Sequence, residues 1–300
     1  MALTGCAKPD IPYTRLEAKY ASPTSHFADL PGGVRMHYRD EGNAAGPTLV
    51  MVHGFGASLH AWEPWVTRLG KDYRLISLDL PGHGLTQAPA GYKASTDGNV
   101  ALVDALTHQL SAPEFVLAGN SMGGGVAWNY ALAHPERLRG LVLVDAGGWP
   151  SAKDAKGPPL IFRMLANPAG RAVLKSFDPA PMAERGLKDA YLDPKLVTPA
   201  LLERYTDLAR APGHKDILLT MQSRSRAPVT PETFKQIRVP TLVMVGEQDK
   251  VIPAANSQSL AGAIPGAKLV SYADGGHVPM EQLPDRSAAD VRAFMEGLIP

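Results

Sequence analysis

The chain has 300 residues, 45% apolar and 20% charged, with a formal net charge of +1, so it can bury a substantial core and gives no reason to expect nucleic acid or an acidic partner. A single cysteine excludes a disulfide framework and a thiolate zinc site, and the nine histidines show no metal-ligand spacing, so neither metal nor cofactor is expected. No apolar run approaches about 18 residues, the length of a membrane-spanning helix.

At the amino end, Leu3-Thr4-Gly5-Cys6 resembles the lipobox of bacterial lipoproteins, in which the cysteine is lipidated. A polar, proline-bearing stretch from Lys8 to Ser25 follows, so residues 1–25 are expected to tether a folded domain. The resemblance implies membrane anchoring through lipidated Cys6 and a place in the bacterial cell envelope. Five residues precede Cys6, so this reading requires a longer precursor; without it the expected location is the cytoplasm.

Val34 to Arg39 alternates apolar and polar residues, as an antiparallel strand does, and Asp40 to Asn43 is a turn signal. Thr48 to Val52 predicts a strand ending in His53-Gly54-Phe55-Gly56. Ala61 to Leu69 predicts a helix, and Tyr73 to Leu78 a buried strand closed by Asp79-Leu80-Pro81-Gly82-His83-Gly84. Val100 to Leu110 repeats apolar residues at three and four, with Asp97 or Asn99 available as its N-cap. Phe115 to Ala118 is a strand, Val126 to Ala133 a helix and Leu141 to Val144 another strand.

From Trp149 to about Pro231 there are only proline-punctuated helical segments: Leu160 to Ala166, Gly170 to Phe177, Met182 to Tyr191, Pro199 to Ala209 and His214 to Arg224. The strand–helix alternation then resumes with Thr241 to Val245, Ala254 to Ala263, Lys268 to Tyr272 and Ser287 to Leu298. The expected fold class is α/β: a central, mostly parallel eight-stranded sheet with helices on both faces. The expected organisation is a core over 26–148, a helical insertion over 149–231 and the rest of the core over 232–300.

Gly119-Asn120-Ser121-Met122-Gly123 fits G-x-S-x-G between a strand and a helix. The turn must be tight, and glycines two before and two after Ser121 remove side chains that would meet backbone. The serine hydroxyl then stands at a strand tip above a helix N-terminus, which favours developing negative charge. Asp249 and His277 lie on loops after the seventh and eighth strands, at the same carboxyl edge of the sheet.

From Gly33 to the carboxyl end the chain resembles the α/β-hydrolases with a helical cap inserted after the sixth strand. The resemblance implies a nucleophile–acid–histidine order: Ser121 as nucleophile, Asp249 as acid and His277 as base. Asp145, at the end of the sixth strand, is the alternative acid; if Asp249 serves, Asp145 is a turn residue. The resemblance assigns the oxyanion hole to the backbone N–H groups of Phe55 and Met122. His53 and His83 are expected to bond within the turns that shape the site. His26, His37, His60, His108, His134 and His214 are expected at the surface or in loops. Phe162, Met182 and Val278 are candidates to line the substrate pocket, whose apolar roof implies an uncharged, partly hydrophobic small molecule.

Serine at the elbow argues against the aspartate-nucleophile chemistries of this superfamily. Three readings remain: a carboxylesterase acting on small to medium esters, a carbon–carbon hydrolase of the meta-cleavage type, and a ligand-binding member without catalysis. The meta-cleavage enzymes usually carry tryptophan after the catalytic histidine and a Gly-Pro-Gly run beyond the first histidine, where this chain has Val278 and Ala57-Ser58. An intact triad argues against the third reading.

Overall fold

The computed structural model describes residues 8–150, 164, 167, 169–171, 180–221 and 229–298. Its centre is an eight-stranded sheet. The strands are β1 (Ser25–Leu30), β2 (Val34–Gly42), β3 (Thr48–Val52), β4 (Arg74–Leu78), β5 (Phe115–Asn120), β6 (Leu138–Val144), β7 (Thr241–Gly246) and β8 (Lys268–Tyr272). They lie in the order β1-β2-β4-β3-β5-β6-β7-β8. The contacts of β2 with β1 and with β4 are antiparallel, and the remaining pairs are parallel.

The inner parallel strands are largely apolar because both faces of the sheet are covered there, whereas the edge strand β8 is mostly exposed. Successive residues alternate between two cores. Val50, Val52, Leu117, Leu143 and Val243 point to one, packed by helices α3 (Thr96–Gln109) and α4 (Met122–Ala133). Leu49, Met51, Ala118, Val142 and Met244 point to the other, where Trp65 and Leu69 of α2 (Glu63–Leu69) meet Val291 and Phe294 near the carboxyl end. Trp62 and Trp65 are wholly buried there with ring centroids 5.0 Å apart.

Two expectations are corrected. Helix α3 begins earlier than its apolar repeat: Ser95, not Asp97 or Asn99, is the N-cap, and its hydroxyl accepts the Gly98 N–H at 3.1 Å. The stretch expected to be a tether also contains structure. Tyr13–Tyr20 form helix α1, whose Leu16 is buried against Leu85, Leu208 and Ala211. The spacing of Tyr13, Leu16 and Tyr20 gives one short helix a single apolar side, which the surrounding polar residues hide in the sequence. Cys6 and Phe162 lie outside the described residues.

Between β6 and β7 the described elements are helical: α5 (Ala180–Ala190), α6 (Pro199–Leu208), α7 (His214–Thr220) and the single turn α8 (Pro231–Phe234). After β7 follow α9 (Ala254–Ala263), then β8, the short α10 (Pro279–Gln282) and the closing α11 (Pro284–Glu296). The described insertion is fastened to the amino end, since the Ile11 N–H donates to the Arg210 carbonyl at 2.8 Å.

Candidate active site

Ser121 follows β5 directly and precedes α4, with φ 54° and ψ −116°, a conformation that non-glycine residues adopt only when their surroundings force it. The forcing is visible at the two glycines. A Cβ on Gly119 would lie 2.2 Å from the Gly123 carbonyl oxygen, and one on Gly123 would lie 2.2 Å from that of Val52. No other residue fits at either position. The Ser121 N–H donates to the Val144 carbonyl, and the Ser121 carbonyl accepts from Gly125 (3.1 Å) and Gly147 (2.8 Å). The bond from Gly125 is the first of the helix, so the Met122, Gly123 and Gly124 N–H groups form its free positive end.

The structure brings Asp249 and His277 together. His277 Nδ1–H donates to Asp249 Oδ2 at 2.7 Å, with the Asp249 side chain fully buried and that of His277 only 8% exposed. Asp249 Oδ1 accepts the N–H groups of Val251 (2.6 Å) and Ile252 (3.0 Å), which fixes the carboxylate. The His277 N–H donates to the carbonyl of Ala190 at the end of α5, so the described insertion also holds the histidine loop. Asn120, which the sequence did not single out, joins the two halves: its Nδ2 donates to the carbonyls of Val144 (3.1 Å) and His277 (3.0 Å).

Asp145 stands beside this pair. It is wholly buried, with φ 42°, and accepts the Gly246 N–H at 3.1 Å. Burial, with the adjacent Asp249 carboxyl, pushes its own carboxyl well above the usual carboxylate range.

The loop after β3 closes over the elbow. A Cβ on Gly54 would lie 3.2 Å from the Ser121 Cβ, so the backbone leading to Phe55 passes directly beside the serine. His53 is wholly buried; its Nδ1–H donates to the Gly54 carbonyl at 2.7 Å and its Nε2 accepts the Leu80 N–H at 3.1 Å. Those two bonds require a neutral ring, and burial holds its pKa below the ordinary histidine value. Burial also holds His83 well below that value, and the two rings lie 4.8 Å apart. Phe55 is 58% exposed. Met122 is half-buried, and Val278 is buried in the core with 6% exposure. Met182 stands on α5.

Three histidines expected at the surface or in loops are interior. His37 is wholly buried, its Nδ1 2.7 Å from Asp79 Oδ2. His60 lies behind Arg39, and burial lowers its pKa to about 4. His214 is wholly buried, its ring nitrogens facing the carbonyls of Leu208 and Thr86. The alternation in β2 puts His37 on the polar side of the strand, but that side is itself covered. Arg39 on the same side reaches the Tyr20 carbonyl of α1 and Glu63 of α2.

Residues 47–283 match the family described as alpha/beta hydrolase fold. The chain belongs to that family. It is 29% identical to "Lipase 1" of Psychrobacter immobilis over 88% of this chain and 82% of that protein. It is 28% identical to the "2-hydroxymuconate semialdehyde hydrolase" of Pseudomonas sp. (strain CF600), over 93% and 97% respectively. Among solved structures, a variant of the meta-cleavage product hydrolase CumD superposes with a TM-score of 0.77 at 26% identity, covering 91% of this chain and 98% of that one. This α/β-hydrolase is therefore similar both to a protein named a lipase and to proteins named hydrolases of a semialdehyde and of a meta-cleavage product. Among the described residues no group of three or more His, Cys, Asp or Glu could hold a metal ion.

Proposed function

We propose that the protein is a serine hydrolase that cleaves carboxylic esters of small to medium, partly hydrophobic substrates through an acyl-enzyme. The observation that carries this reading is the strained Ser121 at the strand tip, on the same sheet edge as the 2.7 Å His277–Asp249 pair.

In this mechanism Ser121 Oγ attacks the ester carbonyl carbon while His277 Nε2 takes the hydroxyl proton. Asp249 holds the imidazole by its Nδ1–H and stabilises the imidazolium. The oxyanion is met by the N–H groups of Phe55 and Met122, the second strengthened by the free end of α4. Collapse of the tetrahedral intermediate breaks the bond to the alcohol, which leaves with the proton from His277. Water, activated by the same histidine, then releases the acid and restores Ser121.

The ester reading is preferred over carbon–carbon cleavage because Val278, not tryptophan, follows His277. The 28% identity to the semialdehyde hydrolase supports the second reading. A hydrolysis screen over p-nitrophenyl esters of rising acyl length, with one dienoic ring-fission ketone and one lactone, separates them. Turnover of short and medium esters without the ketone is expected. Turnover of the ketone alone selects carbon–carbon cleavage, and saturable binding without any turnover selects a ligand-binding protein. A lipid anchor at Cys6 is a separate proposal, tested by mass spectrometry of the protein from its own host.

A further inference from the structure

Between α1, α2 and α6 lies a cleft of about 380 Å3 whose lining includes none of Ser121, Asp249 and His277. Among the described residues its cations come from three elements: Lys19 of α1, Arg39 of β2 and Arg204 of α6. Its carboxylates are Glu63 of α2 and Glu203 of α6. The Tyr20 ring and Ala200 supply apolar wall between them.

The cations are unequally matched. Lys19 Nζ lies 2.7 Å from Glu203 Oε1 and 2.9 Å from Asp207 Oδ2, and Asp207 is shared with Arg210 at 3.9 Å. Arg39 and Arg204 have one carboxylate between them. Arg39 Nη1 donates to Glu63 Oε1 at 2.8 Å, whereas Arg204 reaches Glu63 Oε2 only at 3.9 Å. His60 adds no charge. Arg39 Nη2, 3.1 Å from its Nε2, can only donate, so the ring is neutral and its Nδ1–H faces Ser58 Oγ at 3.0 Å. Glu281, whose carboxyl Arg204 also attracts, keeps its proton up to about pH 7. One positive charge is therefore left over around Arg39 and Arg204.

Their hydrogen-bond donors are unmatched as well. Arg39 is only 5% exposed, yet its Nε–H is shut off from solvent without a partner among the described residues. The Arg204 side chain is 22% exposed, and its Nε–H is orphaned in the same way. Among the described residues the Arg204 guanidinium makes no hydrogen bond at all. Buried donors left unmade are costly, and a carboxylate is a group that a guanidinium fork takes with two parallel bonds.

We propose that this cleft binds a small molecule carrying one carboxylate, whose oxygens take the Arg204 fork and whose apolar body lies along Tyr20 and Ala200. A single negative charge balances the surplus, and a planar oxyanion suits the fork better than a spherical ion does. The bound acid ties α6 of the insertion to β2 and α2 of the core. The site stands apart from the hydrolase reading. Since ester hydrolysis also releases an acid, the test separates this cleft from the surroundings of Ser121.

Titration calorimetry of the full chain with benzoate, at pH 6 and low salt, provides that test, with benzamide as the uncharged counterpart. Benzoate should bind saturably, and benzamide at least about tenfold more weakly. Arg204→Gln should weaken benzoate by about tenfold or more. Arg286→Gln, which removes an exposed arginine paired with Asp274, should change the affinity less than about twofold. Absence of benzoate binding, equal binding of benzamide, or an equal loss in the two variants overturns the proposal. Undiminished binding in Arg204→Gln also overturns it, since a site beside Ser121 alone gives that result. The wild type offers a check that needs no variant. In protein labelled with 15N-arginine, the solvent-shielded Nε–H signals should shift as benzoate is added, and signals that stay in place overturn the proposal. Neither measurement uses ester turnover, so a protein that hydrolyses no ester is judged by the same outcomes.

Discussion

Asn120 and His277 are 157 residues apart in sequence, yet the Asn120 amide donates to the His277 carbonyl at 3.0 Å. The same nitrogen donates to the Val144 carbonyl, and since both partners are carbonyls the amide can face them only with its NH2 group. The strand that presents Ser121 is thereby fastened to the loop that carries His277.

Asn120→Ala should therefore act on stability and on catalysis together. The buried His277 carbonyl loses the Asn120 donor, at about 1–3 kcal/mol, while the Val144 carbonyl keeps the Ser121 N–H. Chemical denaturation should show a loss within that range or somewhat above it, and ester kcat should fall more than KM changes. Unaltered kcat in a folded Asn120→Ala would mean that the histidine loop is held without it.

Ser121→Ala should lower kcat on the order of 10³-fold or more, and His277→Ala about as much. The double variant should be little worse than either, because each removes the same proton transfer. Asp249→Asn should leave folding nearly intact yet lower kcat strongly, since the imidazole loses its charged partner. Labelling with an organophosphate checks the nucleophile directly: modification should fall on Ser121 alone. Full activity in Ser121→Ala would reject nucleophilic serine catalysis.

What the sequence made legible was whatever is governed by local spacing. Gly119 and Gly123 announce the elbow by their spacing about Ser121, although only the approach that Gly119 permits is local; that of Gly123 is to Val52 at the end of β3. The loop of Asp249 follows β7, an unbroken apolar run, and that of His277 follows the shorter β8. Contacts between distant segments left no such trace. Asn120 looks like an ordinary residue of the elbow, and its partner is fixed only when the sheet is assembled. His37 sits on the polar side of an alternating strand, and nothing in the alternation reveals that α1 and α2 cover that side. Helix α1 escaped notice because eight residues with one fully buried side chain give little periodic signal.

The segment that follows β3 depends on Asp79, which predicts a specific failure. Its Oδ1 accepts the Leu59 N–H at 2.7 Å, and its Oδ2 meets the Leu85 N–H and the His37 ring. A Cβ on Gly84, whose φ is 53°, would lie 1.8 Å from Asp79 Oδ2. Gly84→Ala should thus expel the carboxylate and cost about 3–5 kcal/mol, as breaking a buried pair does. Burial pushes the Asp79 carboxyl up, but the bond and charge of His37 with the Leu59 N–H outweigh it, so the carboxyl is held below the usual range. A depressed carboxylate stabilises the fold above its unfolded pKa of about 3.9, and that contribution is lost as pH falls toward the folded value. Acid unfolding below pH of about 4 should be correspondingly shallower in Asp79→Asn, itself less stable at neutral pH.

Glu281 titrates in the opposite sense. It sits on α10, four residues beyond His277, and its Oε1 is closed off from solvent and, among the described residues, without a hydrogen-bond partner, although the residue as a whole is half-buried. Burial raises its pKa to about 7, against the partial relief given by the Tyr191 hydroxyl and the Arg204 guanidinium. A carboxyl whose folded pKa is raised binds its proton more tightly in the native state than in the unfolded chain. Its contribution is fully present below the unfolded pKa of about 4.3 and is lost as pH rises through about 7. The loss has a ceiling of about 4 kcal/mol, reduced by whatever solvent reaches the half-buried residue. Glu281→Gln keeps the shape and removes the ionisation. Its melting temperature relative to wild type should therefore be higher at pH 8 than at pH 5. Melting curves of both proteins across that range decide the matter: a difference that does not vary with pH would show that Glu281 is not the group that titrates.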